Sequence, residues 1–406
     1  PARRQELKDA MFLDLLRRRN PALLDAAVEL HQRGELPANT FAIDLDAVRA
    51  NATALAAEAA RLGLTPLAMT KQMGRNPDFC RAVVDGGITA SVAVDMDDAR
   101  ATVRAGMELG HLGHLVQVPR AETAAGAAMR PHNWTVFDDT KAAEAARAAA
   151  DLGRDQALLA RIQAPGDEFY PGHEGGFAAA DVVQVADRLD ALDGAHFGGL
   201  TTFPALLFDA ERRGVRTTRN LATLEAAAKR LADAGRTGIA INAPGTTSTA
   251  ALATLAAAGA TQVEPGHALT GTTPWHAVED LVELPAVCYV SEVSHLHDGR
   301  AYCFGGGMYV DPVISAYPVQ ALVGREPGAT ALVPATLPPP SAIDYYGQLH
   351  LADAPPVSPG DTVVFGFRAQ AFVTRAHTAG IIGVGSGRPR VAGVYAVDGR
   401  TAQWPA

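Results

Sequence analysis

Lysine is scarce in this chain. Of its 35 basic residues only four are lysines: Lys8, Lys71, Lys141 and Lys229. Where a positive charge alone is wanted, the sequence writes arginine. Three of the lysines fall in Ala/Arg/Glu-rich stretches with a solvent face. Lys71 alone ends an apolar run, 62–69. Lysine, unlike arginine, can lose its proton and attack a carbonyl. An ammonium held away from water costs roughly several kcal/mol unless it is paired or neutralised. A snorkelling lysine at a strand end is the ordinary alternative.

Other absences narrow the class. The three cysteines, Cys80, Cys288 and Cys303, show no CxxC spacing and no framework, which suits a reducing cytoplasm. No apolar run reaches the length of a membrane span. The stretch from Pro1 to Arg19 is charged throughout and lacks a signal-peptide apolar core. A net charge of -9 without a basic cluster argues against a nucleic-acid partner. No GxGxxG opens the first βα unit, which weighs against a dinucleotide fold.

What is present is alternation. The chain is 48% hydrophobic and long enough, at 406 residues, for two domains. Residues 1–38 read as a helical arm, with stripes at Leu7, Met11, Leu15 and Leu16 and at Leu23, Leu24, Ala27 and Leu30. The arm is expected to pack either on its own chain or on a partner. Extended segments follow near 64–71, 88–94, 113–118, 133–137, 157–163, 196–203, 238–242 and 261–264, with alanine-rich helices between them. Eight such units predict an α/β fold, a (β/α)₈ TIM-type barrel over 39–275. A doubly wound open sheet is the alternative. After Pro274 short strands separated by Pro and Gly turns predict a β-rich second domain, 276–406.

Barrel chemistry sits at the carboxyl ends of the strands. Those ends hold Lys71 in the first unit, Thr201 and Thr202 in the sixth, Asn242 to Thr249 in the seventh, and Glu264, Gly266 and His267 in the eighth. Gly245, Thr246 and Gly266 predict loops whose backbone N–H groups hold a phosphate. An ordinary helix cap at Thr246 or Thr247 is the plainer alternative.

These features resemble the pyridoxal-phosphate enzymes of the alanine racemase type, fold type III. The likeness rests on Phe41-Ala-Ile-Asp-Leu-Asp-Ala-Val-Arg-Ala-Asn51 and on the lysine strand after it. Met-Thr-Lys-Gln and Gly-Arg-Asn-Pro, within 69–77, resemble a poorly characterised racemase-like branch. The resemblance implies that Lys71 carries pyridoxal 5'-phosphate, and that the barrel, 39–275, binds it. Arg75, Thr202, Asn242, Gly245, Thr246, Glu264, Gly266 and His267 become cofactor-binding candidates. Arg75 stands where the family has a phosphate-reaching tyrosine, and Thr202 where it has a ring-facing histidine. Glu264 replaces an arginine facing the pyridine nitrogen. A carboxylate there favours a protonated ring and a stronger electron sink.

The implied activity is an amino-acid racemase acting by Cα proton abstraction from the substrate–cofactor adduct, in a homodimer whose subunits share the active site. Racemisation needs an acid/base group on each face of Cα. Lys71 serves one face. Phe304 occupies the place of the family's opposing tyrosine, so Cys303 and Tyr346, or Tyr309, are candidates for the other. Related aldolases and dehydratases bind a divalent metal through a His-x-Cys or His-x-Asp pair. Here those positions hold Ala369 and Ala371, so no metal is expected, and Arg368 and Gln370 become substrate-binding candidates. A lyase and a non-catalytic carrier of the cofactor are the alternatives. The β-rich segment argues against the carrier.

Overall fold

The strand 65–69 is both the first and the last stave of a closed barrel. Thr65 pairs with Gln262 on one side, and Ala68 pairs with Ser91 on the other. Between them run Ala90–Ala93, Glu108–Leu112, Asn133–Val136, Gln156–Gln163, Ala195–Thr201, Ala240–Asn242 and Gln262–Val263, all parallel. Eight strands therefore close on themselves, and the open-sheet alternative falls. The structure is a computed structural model and describes residues 12–309, 319–339, 341–352 and 354–404. Leu7 and Met11 of the first predicted stripe lie outside the described residues.

The chain divides into two compact units. One comprises 53–69 and 87–266; the other comprises 1–52, 70–86 and 267–406. The barrel is the first of these. Two of its helices start on aspartate caps: Asp95 accepts from the Asp98 amide at 2.9 Å, and Asp138 from the Lys141 amide at 2.9 Å. Such caps satisfy amides that a helix start otherwise leaves unpaired. The third strand is Glu108–Leu112, not the apolar run 113–118. Gly110 lets it pass close to Leu67 and Ala90, since a Cβ there would meet Leu67 Cδ2 at 2.6 Å. Gly113, at φ +76, ends it. A hairpin of Leu206–Asp209 and Gly214–Thr217, which the periodicity did not reveal, follows the sixth strand.

The second unit is built on an antiparallel ring of six strands: Val287–His297, Arg300–Phe304, Tyr346–His350, Ala331–Thr336, Val319–Gly324 and Thr362–Phe365, the last returning to the first. Thr40–Asp44 joins this sheet, antiparallel to Val287–His297 and parallel to His377–Ile382. Both of its faces are buried, so its sequence, Thr-Phe-Ala-Ile-Asp, shows no alternation that would give a sign of its sheet. Residues Ala371–Val373, within the predicted β-rich segment, form a single 3₁₀ turn.

The helical arm packs on its own chain. Leu13, Leu16, Leu23 and Leu30 form one core with Val290, Val364 and Ile381 of the sheet. Each fully buried leucine contributes about 1.5–3 kcal/mol. Asn20 caps the helix Pro21–Gln32 and donates to Asp44 at 3.0 Å. His31 Nδ1 lies 2.7 Å from Thr362 Oγ1.

Candidate active site

Each residue of the Gly-Arg-Asn-Pro motif has a local job in the unit that holds the β-ring. Lys71 opens a 3₁₀ turn, Lys71–Met73, and Gly74 ends it in the left-handed conformation, with φ +61. A Cβ on Gly74 would meet Val397 Cα at 2.9 Å, so the turn seats directly on the sheet. Asn76 accepts from the amides of Asp78 at 2.9 Å and Phe79 at 3.0 Å, and donates to Thr378 Oγ1 at 3.1 Å. Pro77 then starts the helix Pro77–Asp85 at the one position where its missing N–H costs nothing. The motif thus fixes the backbone that carries Lys71.

Around Lys71 this unit gathers cations on an aromatic floor. Lys71 Nζ lies 4.2 Å from the Phe372 ring centroid and the Arg75 guanidinium 5.5 Å from it. Arg75 is buried, adopts φ +51 and donates to Val397 O at 3.1 Å. His267 Nε2 donates to Ala369 O at 3.0 Å. Burial first, then the charges of Arg368 and Lys71, holds its pKa well below the ordinary value. The ring is therefore neutral, and Nδ1 accepts from the Arg368 guanidinium at 3.3 Å. Of the residues expected from the sequence, Lys71, Arg75, His267 and Arg368 thus come together, and Gln370 lies in the same loop. Both nitrogens of the His267 side chain are thus engaged, one with Ala369 and one with Arg368.

In the barrel unit the centre is Glu264, wholly buried. Oε1 accepts from His111 Nδ1 at 2.6 Å and from Asn242 Nδ2 at 2.9 Å. Thr201 donates to Asn242 Oδ1 at 2.7 Å, which fixes the amide's orientation. His111 Nε2 meets Thr135 Oγ1 at 2.5 Å. Oε2 lies 3.1 Å from His114 Nδ1, but the two are outside hydrogen-bonding geometry. Burial alone would raise the carboxyl pKa; His114 and His111 more than offset it, and the net direction is downward. Glu264 is thus favoured as a carboxylate, with Oε1 hydrogen-bonded and Oε2 beside His114 but accepting no hydrogen bond. The ligand atoms of His111, His114 and Glu264 lie within 4.8 Å of one another, the compass of a single cation. Contacts of 2.5 and 2.6 Å on both nitrogens of His111 instead mark hydrogen bonds with a proton between the atoms.

Arg161 is the second charged group in this barrel. It is 1% exposed. In register it stands beside Thr201, so the two side chains share a face of the sheet. Its guanidinium stacks on Phe137 at 4.8 Å and donates to His173 O at 2.5 Å. Among the described residues no acidic side chain pairs with it, and burial lowers its pKa to about 10. Tyr170, His173 and Phe203 form a cluster nearby, with ring centroids 5.7–5.9 Å apart. Their loop is pinned by the Arg216–Glu168 ion pair and by Asn220, which donates to Glu168 O at 2.9 Å.

The predicted phosphate loop is partly engaged elsewhere. The Thr246 amide donates to Leu206 O at 3.1 Å, and Gly245 packs against the Leu206 backbone. Ser248 and Thr202 are buried hydroxyls with no partner among the described residues. Gly266 is half-buried in the turn after Glu264.

In the β-ring the two candidates for the opposing group part company. Cys303 pairs with Gly347, and Phe304 with Tyr346. Neighbours along a strand point to opposite faces, so Cys303 and Tyr346 do not share one. Cys303 is wholly buried, and burial pushes its thiol up to about 12, which leaves it a core residue. Tyr346 is 40% exposed, with ring centroids 5.1 Å from His295 and 6.0 Å from Phe304, and Tyr309 is also exposed.

Sequence reasoning missed His111, His114 and Arg161. The misplaced third strand left His111 in a supposed loop and set His114 inside the expected strand 113–118 rather than just past the end of the true one. Arg161 was legible by the logic applied to Lys71: a lone charge within the apolar run Leu158–Ile162.

A closed eight-stranded parallel barrel with charged groups at its strand ends is the architecture of barrel enzymes. The chain belongs to the alanine racemase family: the model for the alanine racemase N-terminal domain matches residues 43–274, more than half of it. A YhfX-like C-terminal domain model matches 288–391. A protein of Escherichia coli (strain K12) described as uncharacterized protein YhfX is 39% identical over 387 residues, covering 95% of this chain and 98% of the relative. D-threonine aldolase from Filomicrobium marinum shares the fold at TM-score 0.65 and 17% identity, over 90% of this chain and 96% of that one. Alanine racemase of Clostridium difficile 630, in complex with cycloserine, does so at 0.63 and 13%, over 88% and 98%. D-threo-3-hydroxyaspartate dehydratase from Delftia sp. HT23 does so at 0.64 and 16%, over 88% and 97%. Members of the family and these structural neighbours use pyridoxal phosphate. Among the described residues no helix is long and apolar enough to cross a membrane.

Proposed function

We propose that this chain is a pyridoxal-phosphate-dependent amino-acid racemase with Lys71 as the residue that carries the cofactor. The observation that carries the reading is Lys71 itself: the one strand-end lysine of a lysine-poor chain, held in a turn built for it by Gly74 and Asn76. The residues fit such a group. Glu264 Oε2 is a buried carboxylate oxygen lacking a donor, and Ser248 and Thr202 are buried hydroxyls lacking partners.

When bound, the cofactor supplies a carbonyl for the substrate amine and a ring that draws electrons from Cα. Glu264 would hold the ring nitrogen's proton. Ser248 and Gly266 are the candidates at the phosphate. Arg161, a buried cation, receives an anionic group, as Arg368 does in its own unit. Lys71 Nζ takes the Cα proton on one face. Tyr346 from a second copy of the chain, in a homodimer, is the candidate to return a proton on the other. Ala369 and Ala371 are side chains without metal-ligating atoms, which supports a metal-free reaction.

The test is Cα proton–deuterium exchange across a panel of D- and L-amino acids. Exchange with inversion is the expected result. Exchange with release of a keto acid makes the chain a lyase, and no exchange with any member refutes the class.

A further inference from the structure

Glu264 is held unevenly, and the unevenness has a chemical consequence. Oε1 carries two donors, His111 Nδ1–H and Asn242 Nδ2–H, while Oε2 carries none. The proton between His111 and Glu264 belongs to the nitrogen whichever charge state the ring adopts. A neutral His111 accepts the Thr135 hydroxyl proton at Nε2 and so bears its own proton on Nδ1. A charged His111 bears both. In either state Thr135 fixes the ring so that a donor faces the carboxylate. The titratable groups facing Glu264 from the elements packed on it within the barrel unit are His111 and His114; Asn242 is neutral. A hydrogen bond to the charged form of a carboxylate favours that form.

We propose that His111 is a positioning residue which, anchored by Thr135, keeps Glu264 ionised and leaves Oε2 for the cofactor's ring nitrogen, so that the protonation of that ring is set from the third and fourth strands. The inference rests on the reading of this chain as a pyridoxal-phosphate protein and adds the part of the barrel that tunes the cofactor. Without His111 the buried carboxylate loses its shortest hydrogen bond and holds a ring proton less firmly. Such second partners orient and tune a first contact in the way outer ligands tune a metal.

The experiment loads the full chain with pyridoxal phosphate labelled with ¹⁵N in the ring and follows that nitrogen by NMR as a function of pH. Wild type should show a protonated ring nitrogen at neutral pH. His111→Leu should lower its protonation midpoint by about one pH unit or more, the size of shift a lost neighbouring interaction produces. His111→Asn, which returns one N–H donor, should recover most of the shift, an outcome that a merely structural role does not give. Thr135→Val, nearly isosteric, should move the midpoint the same way and serves if the leucine variant does not fold. Variants that take up the cofactor with the wild-type midpoint would overturn the inference and leave the functional reading standing. A wild-type chain that takes up no cofactor would overturn both.

Discussion

His111 Nδ1 lies 2.6 Å from Glu264 Oε1, with both side chains closed to solvent. The contact joins the third strand to the loop after the eighth, and with His114 it lowers the pKa of a carboxyl buried inside a barrel. The resemblance to alanine racemases pointed to an arginine at this position. At this position the chain has a buried carboxylate flanked by two histidines.

Glu264→Gln tests that replacement. The amide is isosteric, and its oxygen still accepts from His111 and Asn242, so the fold should hold. With the charge gone, Cα exchange should fall by about 10²-fold, the usual effect of removing one preorganised electrostatic partner. Wild-type exchange in this variant would show that Glu264 does not act on the cofactor.

Arg161→Leu separates binding from stability. A buried guanidinium without an acidic partner stabilises the apoprotein little, so urea unfolding should change little or move toward greater stability. The KM for amino-acid substrates should rise by about 10- to 100-fold, from the roughly 1.5–3 kcal/mol of a hydrogen bond to a charged group. A clear loss of apoprotein stability with an unchanged KM would assign Arg161 to structure alone.

These cases show what the sequence carried. The Lys71 motif was readable because each residue in it has a local role: a left-handed glycine, a capping asparagine, a proline at the helix start. The eight βα units and the β-rich second domain followed from alternation and turn residues, whereas closure of the barrel came only from the pairing of 65–69 on both sides. Three things were not local. Thr40–Asp44 joins its sheet through strands some 250 and 340 residues away. The third strand is interrupted by Gly110, whose role is a close approach to Leu67, so the more apolar run beyond it read as the strand. Cys303 and Tyr346 could be paired on paper, but register sets them on opposite faces.

The arm gives a pH dependence. Burial lowers the pKa of His31 to about 4. Glu292, 3.3 Å from its Nε2, is itself pushed upward by burial and is a weak counter-ion in acid. The unfolded chain, with an ordinary histidine pKa near 6.5, binds the proton first as pH falls. Stability contributed by neutral His31 is therefore full above about 6.5 and is lost on descending toward about 4, by up to roughly 3 kcal/mol. Urea unfolding at several pH values should show this slope in wild type and a shallower one in His31→Gln. Equal slopes would remove His31 as the cause.

The central claim is tested most directly by reducing the cofactor-loaded protein with borohydride and mapping the peptides by mass spectrometry. The account predicts a single pyridoxyl group on Lys71 and none in Lys71→Ala. A protein that fixes nothing, or carries the label on Lys141 or Lys229, would contradict it.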